Sequence, residues 1–142
     1  MGVRTGEPIG LQLAQTTKVV RRAFDEALTQ AGGSLPIWLV MVALKNHHHG
    51  TQRDLAEVME IEGPTLTHHL NRMERAGLLM RTRDPQNRRV HQVTLTAAGE
   101  ALFEQLLGAV TAFDRRLRRG LGKTDLDTLG AVLDQLRLNV SG

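Results

Sequence analysis

A mainly α-helical fold carrying one small β-ribbon is the class that three features of this sequence predict. Six stretches read as helices, most with apolar residues three or four positions apart and bounded by glycine, proline or a capping residue. Between the fourth and fifth, residues 77–96 hold two short β-prone runs around an Asp-Pro-Gln-Asn turn, the pattern of a two-stranded ribbon. Arg81, Arg83, Arg88 and Arg89 crowd into that ribbon, where no packed core accepts four guanidinium groups, so an anionic partner is implied.

The first helix runs from Ile9 to Ala31, with Leu13, Val20, Phe24, Ala27, Leu28 and Ala31 mostly on the helical period, and stops at Gly32-Gly33. Pro36 opens a second, carrying Trp38, Leu39, Val42 and Ala43, which runs out at Asn46-His47-His48-His49-Gly50. Thr51 with Asp54 three residues on forms a variant capping box, so a third helix with Leu55, Ala56, Val58 and Met59 starts there. A turn over residues 60–63 precedes Pro64, which suits the first position of a fourth helix because its missing N–H would find no intrahelical partner there; Gly77 ends that helix.

Two short helices joined by a tight turn make a helix-turn-helix, and the ribbon behind them, Leu78 to Arg83 and Val90 to Leu95, makes it winged. Thr96 caps a fifth helix whose Leu102, Leu106, Val110, Phe113 and Leu117 keep a three-or-four spacing to Gly120. Leu126, Leu129, Leu133, Leu136 and Val140 do the same in a sixth. Stripes of this kind demand a partner surface, within the chain or on a second copy.

Composition narrows the class. At 142 residues with 41% hydrophobic content the chain can build a core. No apolar run approaches the roughly 20 residues that cross a bilayer, and the first ten residues lack signal-peptide order, so a cytoplasmic protein with no membrane partner is expected. Without cysteine, disulfides and thiolate metal sites are excluded. The net charge is only +3, yet residues 64–96 set six arginines against Glu74 and Asp84, the electrostatic footprint of a nucleic-acid binder.

On the fourth helix Leu66, Leu70 and Met73 share one face. The opposite arc holds Thr67, His68, Asn71, Arg72 and Arg75, with Thr65 and His69 at its edge: donors and acceptors suited to base edges and phosphates in a major groove. Arg72 matches guanine and Asn71 adenine. Arg88 and Arg89, at the end of the wing turn, suit the flanking minor groove, whose negative potential attracts arginine. Arg81 and Arg83 are expected either to meet phosphates or to pair with Asp84 or Glu74.

These residues resemble the MarR (multiple antibiotic resistance regulator) family, closest to its SlyA-like branch, over nearly the whole chain. The wing signature Asp-x-Arg, five residues, then Leu-Thr-x-x-Gly is present as Asn87-Arg88-Arg89, Val90 to Thr94, and Leu95-Thr96-Ala97-Ala98-Gly99. Leu70-x-x-Met73-Glu74-x-x-Gly77-Leu78-Leu79-x-Arg81 fits the preceding segment. The family's Asp is Asn87 here, which leaves the wing arginine, Arg89 by alignment, without a charge partner at that position.

The resemblance implies a single MarR-type domain over 1–142, with dimerisation helices at 9–46 and 97–142 and a DNA-binding lobe at 47–96. It also implies a homodimeric transcriptional regulator, in most members a repressor, on a near-palindromic operator with half-sites about 10 bp apart. Lys18, Trp38 and His68 fall where such regulators hold an aromatic carboxylate effector, an indole face stacking on the ring and the lysine pairing with the acid.

Two other functions stand beside this one. A zinc-responsive regulator is suggested by His47, His48, His49, His68 and His69, although adjacent histidines rarely meet one ion; no metal site or cofactor is assigned. A winged helix can also serve protein contacts. Enzyme motifs such as a Gly-rich phosphate loop, HExxH or GxSxG are absent, so no catalysis is expected.

Overall fold

Capping decides where several helices begin. The Thr51 hydroxyl accepts the Asp54 N–H at 3.0 Å and the Thr96 hydroxyl that of Gly99 at 3.1 Å, each satisfying a first-turn donor that has no intrahelical acceptor. In the computed structural model, which describes residues 6–46, 51–87 and 91–142, the order is α1 (Ile9–Gln30), α2 (Leu35–Asn46), α3 (Gln52–Met59), α4 (Gly63–Arg75), β1 (Leu79–Arg83), β2 (His91–Leu95), α5 (Ala97–Leu117) and α6 (Lys123–Val140). The expected His47-His48-His49 loop and the wing positions Arg88, Arg89 and Val90 lie outside the described residues.

The chain divides into two compact units, one ending at Val110 and one starting at Thr111. In the first, α2 is the central helix, touching α1, α3, α4 and β2. Its buried side chains are Trp38, Val40, Met41 and Ala43, while Leu39 is exposed. This helix is apolar nearly all round, so no periodicity within it selects an inward face. Leu28 of α1, Leu55 of α3, Leu66, Leu70 and Met73 of α4, Leu79 and Val93 of the ribbon and Leu106 of α5 complete the core. Burial of each such side chain contributes about 1.5–3 kcal/mol. Val58, on the same helix as Leu55, is exposed.

The end of α1 is tied to its surroundings by hydrogen bonds. The Leu35 N–H donates to the Asp25 carboxylate at 3.2 Å, and the Gln105 amide donates to the Ala31 carbonyl at 2.7 Å. The Trp38 and Phe103 rings stack with centroids 5.5 Å apart and planes inclined by 11°. Lys45 places its ammonium 5.0 Å from the centre of the Phe103 ring while pairing with Glu100, so α2 and the start of α5 are joined by charge as well as packing.

In the second unit, Gly120, at φ +83°, turns the chain between α5 and α6, and the Gly122 N–H donates to the Asp125 carboxylate at 2.9 Å. No residue of α6 is buried; Leu126, Leu133 and Leu136 are half-covered, and Leu129, Val132, Leu138 and Val140 are exposed.

Candidate nucleic-acid interface

The helix-turn-helix is set by two local features. Glu60 adopts the left-handed conformation, φ 53°, which ends α3, and Pro64 sits in the first turn of α4. Across the pair, the Gln52 amide donates to the Thr67 hydroxyl at 2.7 Å. That bond ties α4 to the start of α3. Gln52 carried no sequence signal, since a glutamine opening a helix is ordinarily solvated.

Leu66, Leu70 and Met73 of α4 are fully buried, as their spacing predicts. Thr65, His68, Arg72 and Arg75 are exposed; Thr67, His69 and Asn71 are half-buried. The Arg75 Nε–H donates to the Asn71 carbonyl at 3.4 Å, laying its side chain back along the helix. His69 lines a small hollow of about 150 Å³ with Ile37, Arg72, Met73, Ala76 and Leu78. Burial pushes its pKa below the usual histidine value, and the neighbouring His68 and Arg72 push the same way.

The ribbon register pairs Leu79 with Leu95, Arg81 with Val93 and Arg83 with His91. Because side chains alternate along a strand, these six share one face, the face on which Leu79 and Val93 enter the core. Arg81 is thereby aimed at α4 and not outward. Its Nη2 donates to the Asn71 amide oxygen at 2.6 Å and to Glu74 Oε1 at 3.0 Å, its Nε to Glu74 Oε2 at 3.3 Å, and its backbone N–H to the same oxygen at 3.2 Å. The Arg81 hydrogen bond, opposed by partial desolvation and aided by the Arg81 charge, holds the Glu74 carboxyl below the usual carboxylate range.

Of the two partners expected for Arg81, the structure selects Glu74. Asp84 instead accepts the Gln86 N–H at 2.8 Å and shapes the wing turn. Asn71, assigned to adenine by its place on the helical wheel, already accepts Arg81 through its amide oxygen. Arg83 lies one pair further from the core and is exposed; among the described residues it, Arg72 and Arg75 have no carboxylate partner.

A larger cleft of about 810 Å³ opens between α3 and the ribbon, lined by Gln52, Arg53, Glu57, Ile61 and His91 among others. Arg53 and His91 add basic groups that the sequence reading did not single out, because neither lies on the fourth helix or in the arginine cluster.

The three residues assigned to an effector have different surroundings. Lys18 is exposed in a hollow of about 340 Å³ with Val19, Arg22, Ala23 and Glu26. Trp38 is only 8% exposed and one face of its ring is taken by Phe103. His68 is exposed on α4, its ring centre 5.9 Å from that of His69. Among the described residues, no group of three His, Asp or Glu side chains is placed to hold a metal ion, and no single helix is long and apolar enough to cross a membrane.

Residues 34–91 match the model of the MarR family, a stretch running from the start of α2 to the first residue of β2. A transcriptional regulator from Pseudomonas aeruginosa is 26% identical, with a TM-score of 0.80 over 94% of this chain and 99% of that one. The transcriptional repressor CouR, bound to a 23-mer DNA duplex, is 25% identical, with a TM-score of 0.85 over 96% of this chain and 99% of that one. BpsR of Bordetella bronchiseptica, whose DNA binding is regulated by 6-hydroxynicotinic acid, shares the fold at 20% identity and a TM-score of 0.80 over 96% and 97% of the two chains. Over residues 34–91 this chain matches the MarR family, and its winged helix-turn-helix is similar to those of MarR-family DNA-binding transcriptional regulators, which are not enzymes.

Proposed function

We propose that this protein is a homodimeric repressor that binds a near-palindromic operator and is released by a small aromatic or phenolic acid. The observation that carries the DNA contact is the polar arc of α4, exposed at Thr65, His68, Arg72 and Arg75 beside a wing bearing Arg83. In this reading α4 enters the major groove, Arg72 donates to guanine, and Thr65, Thr67, His68 and Asn71 contribute further contacts. Arg75 and Arg83 meet phosphates, and Arg88 and Arg89 reach the minor groove.

Dimerisation is supported by apolar side chains left uncovered at both ends of the chain: Ile9, Leu11 and Val19 on α1, and Leu129, Leu138 and Val140 on α6. The 9–46 and 97–142 helices would form that interface and 47–96 the DNA-binding lobe. Repression is supported by the similarity to CouR, itself a repressor. An aromatic acid effector is supported by BpsR and its 6-hydroxynicotinic acid, with Lys18 as the cation for the carboxylate and His68 as a contact that DNA and effector would share. Trp38 takes part through its exposed edge only, given its stack on Phe103.

Operator selection from a random duplex pool, followed by titration over a salt series, tests this reading. The expected result is a selected palindrome bound by two chains, with log affinity falling against log salt by about 0.9 per phosphate neutralised. Salicylate added to the complex should release it; an unchanged affinity at saturating salicylate removes that effector class. Salt-independent binding, or no sequence enriched, would remove the DNA reading.

A further inference from the structure

Resting on the DNA-binding reading, we infer that Arg81 is a positioning residue: clasped by Glu74 and Asn71, it sets the wing against the recognition helix and does not itself contact DNA. Four hydrogen bonds converge from one residue of β1 onto two residues of α4, one of them from the strand's own backbone N–H. The Arg81 side chain is 19% exposed, on the ribbon face that packs inward. Three of the five guanidinium N–H groups, on Nε and Nη2, are held by one carboxylate and one amide in fixed fork geometry, which leaves only Nη1 for a phosphate, and the charge is balanced at 3.0 Å.

The mechanical consequence follows from the ribbon's shape. A two-stranded ribbon has little stability of its own and takes its orientation from what holds its base. Leu79 and Val93 anchor that base by packing, which tolerates sliding, whereas the clasp is directional. It also places Asn71, a residue on the DNA-facing arc, in register with the wing. Glu74, an acid that a DNA-binding surface would otherwise do better without, is the partner that holds the arginine.

The sign of one substitution separates this role from a phosphate contact. Removing a carboxylate beside DNA ordinarily strengthens binding by lessening repulsion. The clasp instead predicts that Glu74→Gln weakens operator binding by roughly threefold to fivefold, the scale of an exposed ion pair. Arg81→Ala should weaken it comparably with an unchanged salt slope, and Arg81→Lys should resemble Arg81→Ala because one ammonium cannot make the forked bonds.

The measurement is operator affinity of the full chain over a salt series for wild type and the three variants. Hydrogen exchange in the free protein accompanies it on a fourth variant, Glu74→Ala, in which the Arg81 amide should exchange faster. Tighter or equal binding by Glu74→Gln, or a slope smaller by about 0.9 in Arg81→Ala with full rescue by lysine, would overturn the clasp and make Arg81 a phosphate contact while leaving the DNA reading intact. Salt-independent binding by the wild type would remove both.

Discussion

A methyl group added to Gly99 would sit 2.0 Å from the carbonyl oxygen of Leu78. The first turn of α5 is pressed onto the chain between α4 and β1, and the contact is reinforced from both sides. The Thr96 N–H donates to that same Leu78 oxygen at 3.0 Å, and the Thr96 hydroxyl donates to the Gly77 carbonyl at 2.6 Å. The Leu-Thr-x-x-Gly run is therefore a joint: threonine caps the helix and grips the preceding turn, and glycine admits the close approach.

Gly99→Ala consequently has to move backbone, not a flexible side chain. We expect a loss of about 3 kcal/mol in unfolding free energy, at the upper end of overpacking costs. Urea denaturation checks it, and a loss under about 0.5 kcal/mol would mean that the joint yields freely.

Glu60 tests the turn of the helix-turn-helix. A non-glycine residue in the left-handed region carries about 1 kcal/mol of strain, which glycine relieves at some cost in unfolded-chain entropy. Glu60→Gly should raise stability by roughly 0.5 kcal/mol with operator affinity unchanged, whereas Glu60→Ala should give no gain. Equal effects of the two variants in thermal and urea unfolding would show that the conformation is not strained.

His69 gives a pH signature. Its folded pKa lies below the ordinary value of about 6.5, so below that pH the unfolded chain binds the extra proton more readily, and stability must fall as pH falls through the folded pKa. The charged and titratable groups around it are His68 and Arg72 of its own helix; Ile37 of α2 and Leu78, before β1, add none. The stability of wild type relative to His69→Gln should therefore decline between pH 7.5 and pH 5. A difference that stays flat, or that grows in favour of wild type, contradicts the assignment.

Arg72 and Arg83 should separate reading from gripping. Arg72→Ala is expected to cost about 1–3 kcal/mol at one base position and to relax preference there. Arg83→Ala should weaken all sequences alike and lower the salt slope by about 0.9. The comparison is made on the selected operator and its single-base variants, and identical profiles for the two would place neither residue as proposed.

Much of the fold was legible in the sequence because its signals are local. Capping threonines at 51 and 96, Pro64, Gly77 and the periodic Leu66, Leu70 and Met73 act within a turn or two of chain, and each appears where expected. The inward face of α2 was not legible, since a helix apolar all round is oriented by its neighbours. Nor was the Gln52–Thr67 bond, which joins residues fifteen apart through the angle between two helices.

By itself the sequence determined the elements, their ends and the concentration of arginine behind the fourth helix, because helix and turn preferences and charge belong to residues and their near neighbours. The tertiary structure alone decided which arginine does what. Ribbon register put Arg81 and Arg83 on one face, but only Arg81 lies close enough to α4 to meet Glu74 and Asn71 while Arg83 stays exposed, and core packing closed one face of Trp38 against Phe103. A side chain's role depends on the direction in which it points and on what lies within a few ångströms of it. Only strands brought into register and helices brought into contact fix those two things.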